Sequence, residues 1–425
     1  DWLSAEVVTI TAGEPKSGIA FHLAAEPGLD PRQETVRQAM SMMEYYDPSQ
    51  SDFVSQAMVI DQIFAGLTRI DPVDGKTIPD LLASSHTTDS QTWDFALRGG
   101  LKWSDGSPLT AEDLRFGILR GLRLDQQQTY LYNLFLIQGA QEYNQGTISA
   151  DQVGINVTDA THITFQLTQP TAFFPTILAT IAARPQPRWL VQAFPYTWLD
   201  PDKLVTSGPY RLVEYNANHA LFKKSETFID QAQVKIPQVY IQNATPDEAW
   251  NLFLEGQLDT ATIPSTKIAT VQADPILKNQ FKQVDQQCTY FLGFNVDALG
   301  SSNQPDDPAL LRKALIEAID RDDYNQKANN GSRAAWTFIP PGVLGYSDST
   351  YLPYNPTQAA ADISAAYKGH YQGLPPVTLY YQTDGGNAAS LKAGVEYLAA
   401  TWNQTLNGRF TVKGVTTNEY EGIFN

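Results

Sequence analysis

The sequence predicts an α/β protein of more than one domain. Strand-like and helix-like stretches alternate along it. One segment spells out a strand, a tight turn and a capped helix in succession: Trp93-Asp94-Phe95-Ala96-Leu97-Arg98, then Leu101-Lys102-Trp103-Ser104-Asp105-Gly106-Ser107-Pro108-Leu109-Thr110-Ala111-Glu112-Asp113-Leu114. At 425 residues the chain is too long for one ordinary core and points to two or three domains.

Within that segment Trp93, Phe95 and Leu97 alternate with Asp94, Ala96 and Arg98, the period-2 pattern of a strand with one buried face. Ser104-Asp105-Gly106 is turn chemistry, with Gly106 free to take a positive φ. Thr110 is a natural helix N-cap, and Glu112 and Asp113 fall in the first turn, where the helix dipole favours acids.

The other elements follow in chain order. Residues 12–18 and 26–31 carry turn signals around a short apolar segment. Residues 35–45 are expected to be helical, with Met40, Met42 and Met43 serving core packing. The apolar run 60–67 leads through the turn Pro72-Val73-Asp74-Gly75-Lys76 to Pro79-Asp80-Leu81-Leu82-Ala83. Residues 110–121 and 130–143 read as helices, 153–157 and 163–167 as a strand pair around Asp159-Ala160, and 173–182 as an apolar helix. Strands are expected from Tyr210, at 220–223 and at 234–243, and a helix at 247–254 closed by Gly256. Residues 308–321 form a helix with Leu311, Leu315, Ala318 and Ile319 on one face. Residues 336–342, with Pro340-Pro341, make a rigid loop, and 387–406 a long helix. No internal repeat or low-complexity tract interrupts the pattern.

Composition removes several function classes. Hydrophobic residues at 42% and aromatics at 11% supply large cores, and 18% charged residues is too few for a disordered chain. A net charge of −17 argues against nucleic acid as a partner and disfavours unaided adsorption to anionic lipid. Cys288 is the only cysteine, which rules out an intrachain disulfide; in its strand-like run it reads as a buried small hydrophobe. No stretch approaches the ~20 apolar residues that span a bilayer. The chain opens at Asp1 with neither a charged n-region nor an apolar h-region, so an export signal, where one is encoded, is expected to have been removed.

The segment from Phe95 to Asp113 closely resembles the F-x-L-R-x-x-x-K-W-x-D-G-x-P-x-T-A-x-D signature of the oligopeptide-binding class of extracellular solute-binding proteins, family 5, which feed ABC importers. Further likenesses follow in the family's order: Phe64-Ala65-Gly66-Leu67 with 79–83, Thr206-Ser207-Gly208-Pro209-Tyr210-Arg211-Leu212, Gly256 with Leu258-Asp259, and 288–295 with 308–321. The resemblance implies a bilobal, periplasmic-binding-protein type II-like α/β fold with mixed sheets and an extra subdomain inserted in lobe one. Residues 1–54 would be an N-terminal extension and the start of lobe one, 55–170 the inserted subdomain, 171–266 the rest of lobe one and 267–425 lobe two. Family members then cross back into lobe one; that return is expected to be missing, because the chain stops inside lobe two.

No catalytic centre is legible. His22, His86, His162, His219 and His370 are scattered without metal-type spacing, and G-x-S-x-G, G-x-x-x-x-G-K-[ST] and H-E-x-x-H are absent. Glu112-Asp113 and Asp306-Asp307 read as helix-start and turn acids. We therefore expect no catalytic residue, no metal, no cofactor and no enzyme activity.

A cleft for an extended peptide needs exposed backbone edges, roomy pockets, countercharges for the termini and aromatic walls. Asp30-Pro31 and Asp47-Pro48 both fit the family's L-D-P position; the distance to Gly66-Leu67 favours Asp47-Pro48. On that alignment the resemblance brings the Val54 backbone and Asp52 to the ligand, with Tyr130 or Gln128 facing the cleft. Thr262 and Ile263 would occupy the loop before the lobe crossover, and Phe291 and Gly293 a crossing strand. Gln382 and Asn387 flank Thr383-Asp384-Gly385-Gly386, and Tyr420 falls at an aromatic wall. Trp93, Trp103, Asp105, Gly106 and Gly208-Pro209 are markers of the fold instead. The family's W-x-x-D segment, which carries the aspartate for the ligand's α-amino group, is absent, so peptide as ligand is implied by the family alone.

The resemblance thus implies an exported substrate-binding protein, periplasmic or extracellular and free or lipid-anchored. It would act as a monomer that captures a solute, first of all an oligopeptide, and delivers it to ABC-transporter membrane subunits. The alternatives are another solute, such as an oligosaccharide or metal chelate, or a non-transport interaction module that keeps the fold with an incomplete cleft.

Overall fold

The computed structural model describes residues 35–40, 46–51, 54–126, 129–283, 289–294, 305–328, 332–343, 345–374, 376–383, 388–416, 419–420 and 422. The expectations for the turns before residue 35 and for Cys288 lie outside them. The described residues fall into two compact units, divided between Thr262 and Ile263.

The first unit opens with β1 (Thr35–Met40), α1 (Val54–Ile63), β2 (Thr68–Ile70), β3 (Thr77–Pro79), β4 (Leu82–His86) and β5 (Thr92–Leu97). It continues with α2 (Ala111–Gly121), α3 (Ala140–Asn144), β6 (Ile155–Val157), β7 (His162–Gln166), α4 (Phe174–Ile177) and α5 (Arg188–Ala193). It ends with β8 (Tyr210–Tyr215), β9 (His219–Lys224), β10 (Gln238–Asn243) and α6 (Pro246–Leu254). Two four-stranded sheets result, ordered β1-β10-β9-β8 and β4-β5-β7-β6, beside the hairpin β2–β3. The second sheet lies wholly between residues 82 and 166.

The strand–turn–helix segment folds as its residues dictate. Trp93, Phe95 and Leu97 of β5 are buried and Asp94 is exposed. Gly106 takes φ +89°. Asp113 closes the start of α2 by accepting from the Thr110 amide at 2.9 Å. The β5 rings feed an aromatic core: Phe95 meets Phe165 edge-on at 5.8 Å, and Phe165 meets Phe174 at 5.2 Å. Trp103, Trp198, Tyr210 and Phe64 are fully buried with them.

Three helix expectations fail locally. Residues 35–40 form β1 instead, because pairing parallel to β10, from Thr35↔Gln238 to Met40↔Asn243, supplies backbone partners that no local propensity announces. Residues 130–143 split into a 3₁₀ helix at Thr129–Leu136 and the short α3, separated by Gly139 at φ +74°. Residues 173–182 split into α4 and a 3₁₀ turn at Ile181–Ala183. There Thr180 is extended, and its hydroxyl takes the Ile177 carbonyl at 2.7 Å, competing with the helix ladder.

The second unit comprises α7 (Ile268–Ala273), α8 (Leu277–Gln280), α9 (Pro308–Glu317), α10 (Arg321–Ala328), α11 (Pro356–Ala366), β11 (Pro376–Gln382), α12 (Ala388–Thr405) and β12 (Arg409–Val415). β11 and β12 pair in parallel with α12 as the crossover between them. Leu311, Ala314, Ile363, Leu398 and Trp402 form the core, and the Trp402 indole donates to the Leu315 carbonyl at 2.9 Å. The stripe expected on α9 is present, with Leu311, Leu315 and Ala318 buried.

α9 also buries Glu317, whose carboxyl burial pushes above the usual carboxylate range although Lys313 Nζ lies 3.6 Å away. That lysine is nearer Asp362, at 2.7 Å, which also accepts from Gln358. A folded-state pKa raised above the unfolded value contributes stability below the unfolded pKa and loses it as pH rises through the folded one. Glu317→Gln, neutral at every pH, is therefore expected to raise the melting temperature at pH 8. The two proteins should converge at pH 4. Melts across that range check it, and a variant less stable than the parent at pH 8 refutes it.

Candidate functional site

The turn at residues 46–51 leads into α1, which begins at Val54. It has no regular secondary structure, so its shape depends on side-chain partners. Asp47 supplies most of them. Its carboxylate accepts from the Ser49 amide at 2.9 Å, and its carbonyl accepts from the Gln50 amide at 3.0 Å and the Ser51 hydroxyl at 2.8 Å. Pairing through the Asp-Pro position thus sits in a tight, inward-turned loop.

Asp47 is in turn held from across the fold. Arg120, in the last turn of α2, grips it with both guanidinium branches at 2.6 Å each. Arg120 also donates to Gln186 Oε1 at 2.8 Å, and Gln186 Nε2 donates to Ser49 Oγ at 2.8 Å. Asp47, Arg120, Gln186 and Ser49 therefore close a ring of hydrogen bonds, and all four are buried. The guanidinium lies 5.6 Å from the Trp198 ring centroid. A buried charge is tolerated on these terms, paired in fork geometry with its remaining donors used.

Two further locks flank this region. Arg184 is buried and donates to Asp61 of α1 at 2.6 Å, while its Nη1 reaches the Thr68 carbonyl at 3.4 Å. A Cβ on Gly66 would stand 1.6 Å from that Nη1, so the glycine of the Phe64–Leu67 motif is the space the guanidinium occupies. Asp80 accepts from the Gly66 amide at 2.9 Å, and burial pushes its carboxyl upward. At the end of the unit the Arg37 guanidinium of β1 donates to both Asp259 oxygens, at 2.9 and 3.2 Å, and the Arg37 amide donates to Oδ2 at 2.7 Å. This fixes the chain just before Thr262 and Ile263.

The expected ligand residues are placed as follows. Asp52 and Asn387 lie outside the described residues, as does Gln128. Val54 is the first residue of α1, and Tyr130 lies in the 3₁₀ helix Thr129–Leu136; of their side chains nothing is described. In the first unit Thr262 is exposed. In the second, Ile263 is half-buried, and Gln382 ends β11 half-buried. Tyr420 is half-buried, its amide donating to the Thr416 carbonyl at 2.9 Å. Phe291 and Gly293 do not sit on a strand: residues 289–294 carry no sheet pairing among the described residues, and both are exposed. Phe291 instead packs edge-on against Phe338 at 5.2 Å, an aromatic partner the sequence reading missed. No group of three or more His, Cys, Asp or Glu side chains among the described residues could hold a metal ion.

Comparison with known proteins gives these features a context. The family model described as bacterial extracellular solute-binding proteins, family 5 Middle, matches residues 76–424. The chain is 27% identical over 357 residues to the oligopeptide-binding protein OppA of Bacillus subtilis, covering 79% of this chain and 63% of that protein. It is 26% identical over 407 residues to the periplasmic murein peptide-binding protein MppA of Escherichia coli, covering 92% and 73%. The chain thus spans less than two thirds of the Bacillus subtilis relative's length. The solved structure of the Escherichia coli murein tripeptide binding protein MppA superposes with a TM-score of 0.75 at 23% identity, covering 92% of this chain and 77% of that one. That likeness carries the periplasmic-binding-protein type of α/β fold expected from the sequence.

Proposed function

The chain belongs to the bacterial extracellular solute-binding proteins of family 5, and from that membership we propose that it captures an oligopeptide and delivers it to the membrane subunits of an ABC importer. What supports the reading most is that the family match runs through both compact units, from residue 76 to 424. In this reading the protein is exported, works in the periplasm or outside the cell, free or lipid-anchored, and is a monomeric binder without catalysis or nucleic-acid contact. Residues 1–54 are an N-terminal extension and the start of lobe one, 55–170 its inserted subdomain, 171–266 the rest of lobe one and 267–425 lobe two. The ligand residues are Asp52, Val54, Tyr130, Thr262, Ile263, Phe291, Gly293, Gln382, Asn387 and Tyr420.

The physical case rests on what an extended, sequence-variable ligand requires: backbone partners and aromatic area on a rigid support. The buried ring around Asp47 gives such support to the chain that enters α1 at Val54.

Native mass spectrometry of the purified chain after incubation with a pool of random tripeptides to pentapeptides tests the reading. Retained peptide masses are the expected result, and an empty protein at high peptide excess overturns it. Tyr420→Ala should weaken retention about tenfold, as loss of an aromatic contact residue does. Its melting temperature should stay that of the parent; a drop in stability without loss of peptide would make Tyr420 a packing residue.

A further inference from the structure

We propose that Arg120 is a positioning residue for solute capture: acting through Asp47, it fixes the 46–51 turn that precedes α1, whose first residue, Val54, offers its backbone to the ligand in the reading above. The inference rests on the peptide-binding reading above.

Three observations carry it. The turn is held by bonds that converge on Asp47, through the Ser49 amide, the Gln50 amide and the Ser51 hydroxyl. Of these, the bond from the Ser49 amide goes to the Asp47 carboxylate, so freeing that carboxylate to rotate would release the turn at Ser49. Arg120 is the group that prevents this, because a two-branched grip at 2.6 Å on each oxygen fixes the plane of the carboxylate as well as its place. The far side of the ring is anchored too. Gln186, which joins Arg120 to Ser49, donates its amide to the Asp113 carbonyl at 3.1 Å, so the turn is referred to both ends of α2.

Stability alone accounts poorly for this arrangement. A buried ion pair is on average no better for stability than well-packed apolar side chains of the same volume. What a closed, fully satisfied polar ring adds is a single orientation for each member. Among the described residues Arg120 bonds Asp47 and Gln186, neither of them an expected ligand residue, so its effect on capture passes through Asp47 and the turn.

The test uses the full chain in four forms: parent, Arg120→Lys, Gln186→Ala and, as control, Arg98→Lys. Arg120→Lys keeps the charge and gives up the two-branched grip. Gln186→Ala opens the ring while leaving the ion pair. Arg98→Lys weakens another forked pair of the same unit, Arg98 with Asp230 at 2.5 and 2.8 Å, remote from the turn in sequence. Retention of the random tripeptide-to-pentapeptide pool is measured at a temperature where circular dichroism shows all four folded, alongside amide hydrogen exchange of residues 46–51. The expected result is a loss of retention of about tenfold in Arg120→Lys. Gln186→Ala should lose less. Exchange at 46–51 should be faster in both, and the control should bind as the parent does.

Two results overturn the proposal: Arg120→Lys that exchanges and binds like the parent, or a control that loses retention equally, which would reduce Arg120 to general stability. A parent that retains no peptide overturns the peptide reading itself, and the exchange data then still decide whether Arg120 orders the turn.

Discussion

Trp103→Ala is expected to remove about 3–5 kcal/mol of stability, the usual cost of truncating a buried tryptophan. That is a large share of a margin of roughly 5–15 kcal/mol. The indole is fully buried, meeting Phe64 edge-on at 6.4 Å and Trp189 at 5.9 Å. Its Nε1 donates to Asp113 at 3.5 Å, and burial already pushes that carboxyl upward, so losing the donor leaves an acid with one fewer partner. The backbone of the same turn is tied to the rest of the unit by the Ser104 amide, which donates to the Thr206 carbonyl at 2.8 Å. Truncation therefore opens a cavity among Phe64, Trp189 and Asp113, beside that tie. Peptide retention by protein that remains folded should change little. Thermal melts paired with calorimetric titration check both halves. A variant that melts like the parent yet loses binding would make Trp103 a pocket wall and not a scaffold residue.

What the sequence made legible was local. β5, the Gly106 turn and the start of α2 are each specified by residues within a few positions of one another, and each forms as read. β1 was not legible as a strand because its pairing partner, β10, lies about two hundred residues away and its Arg37 is bound to Asp259. The candidate site shows the same division. Asp47 stands out through its Asp-Pro motif, but Arg120 and Gln186 are 73 residues and more away, and no spacing rule joins them. A signal existed all the same: the last turn of α2 is buried at Ile118, Leu119 and Gly121, so an arginine among them needs a buried acid. The pairing of Phe291 with Phe338 had no such signal, since both are exposed aromatics on irregular chain.

Gly117→Ala should also be damaging, although it looks harmless on paper. Alanine is the better helix former, by about 1 kcal/mol, and Gly117 lies inside α2 without a positive φ. The obstacle is what lies against the helix. A Cβ at this position would stand 2.2 Å from the Arg184 carbonyl oxygen and 3.3 Å from the Gln186 amide nitrogen. Both are backbone atoms, so no rotamer change relieves the contact; α2 and the 184–186 chain must separate. That segment carries the Gln186 amide bond to Asp113, the Gln186 side chain of the Asp47 ring and the buried Arg184 that holds Asp61. Overpacking a close contact typically costs about 1–3 kcal/mol and occasionally more, and a backbone-to-backbone clash belongs at the upper end. The steric term therefore exceeds the propensity gain, and a net loss of about 2 kcal/mol or more is expected. Gly99→Ala is the matched control, because nothing lies within 4 Å of its would-be Cβ and its φ is not positive. Denaturant melts of the two variants beside the parent decide the matter. A Gly117→Ala midpoint equal to that of Gly99→Ala would mean that α2 can draw away from residues 184–186 at no cost, and that the close approach is incidental to the fold.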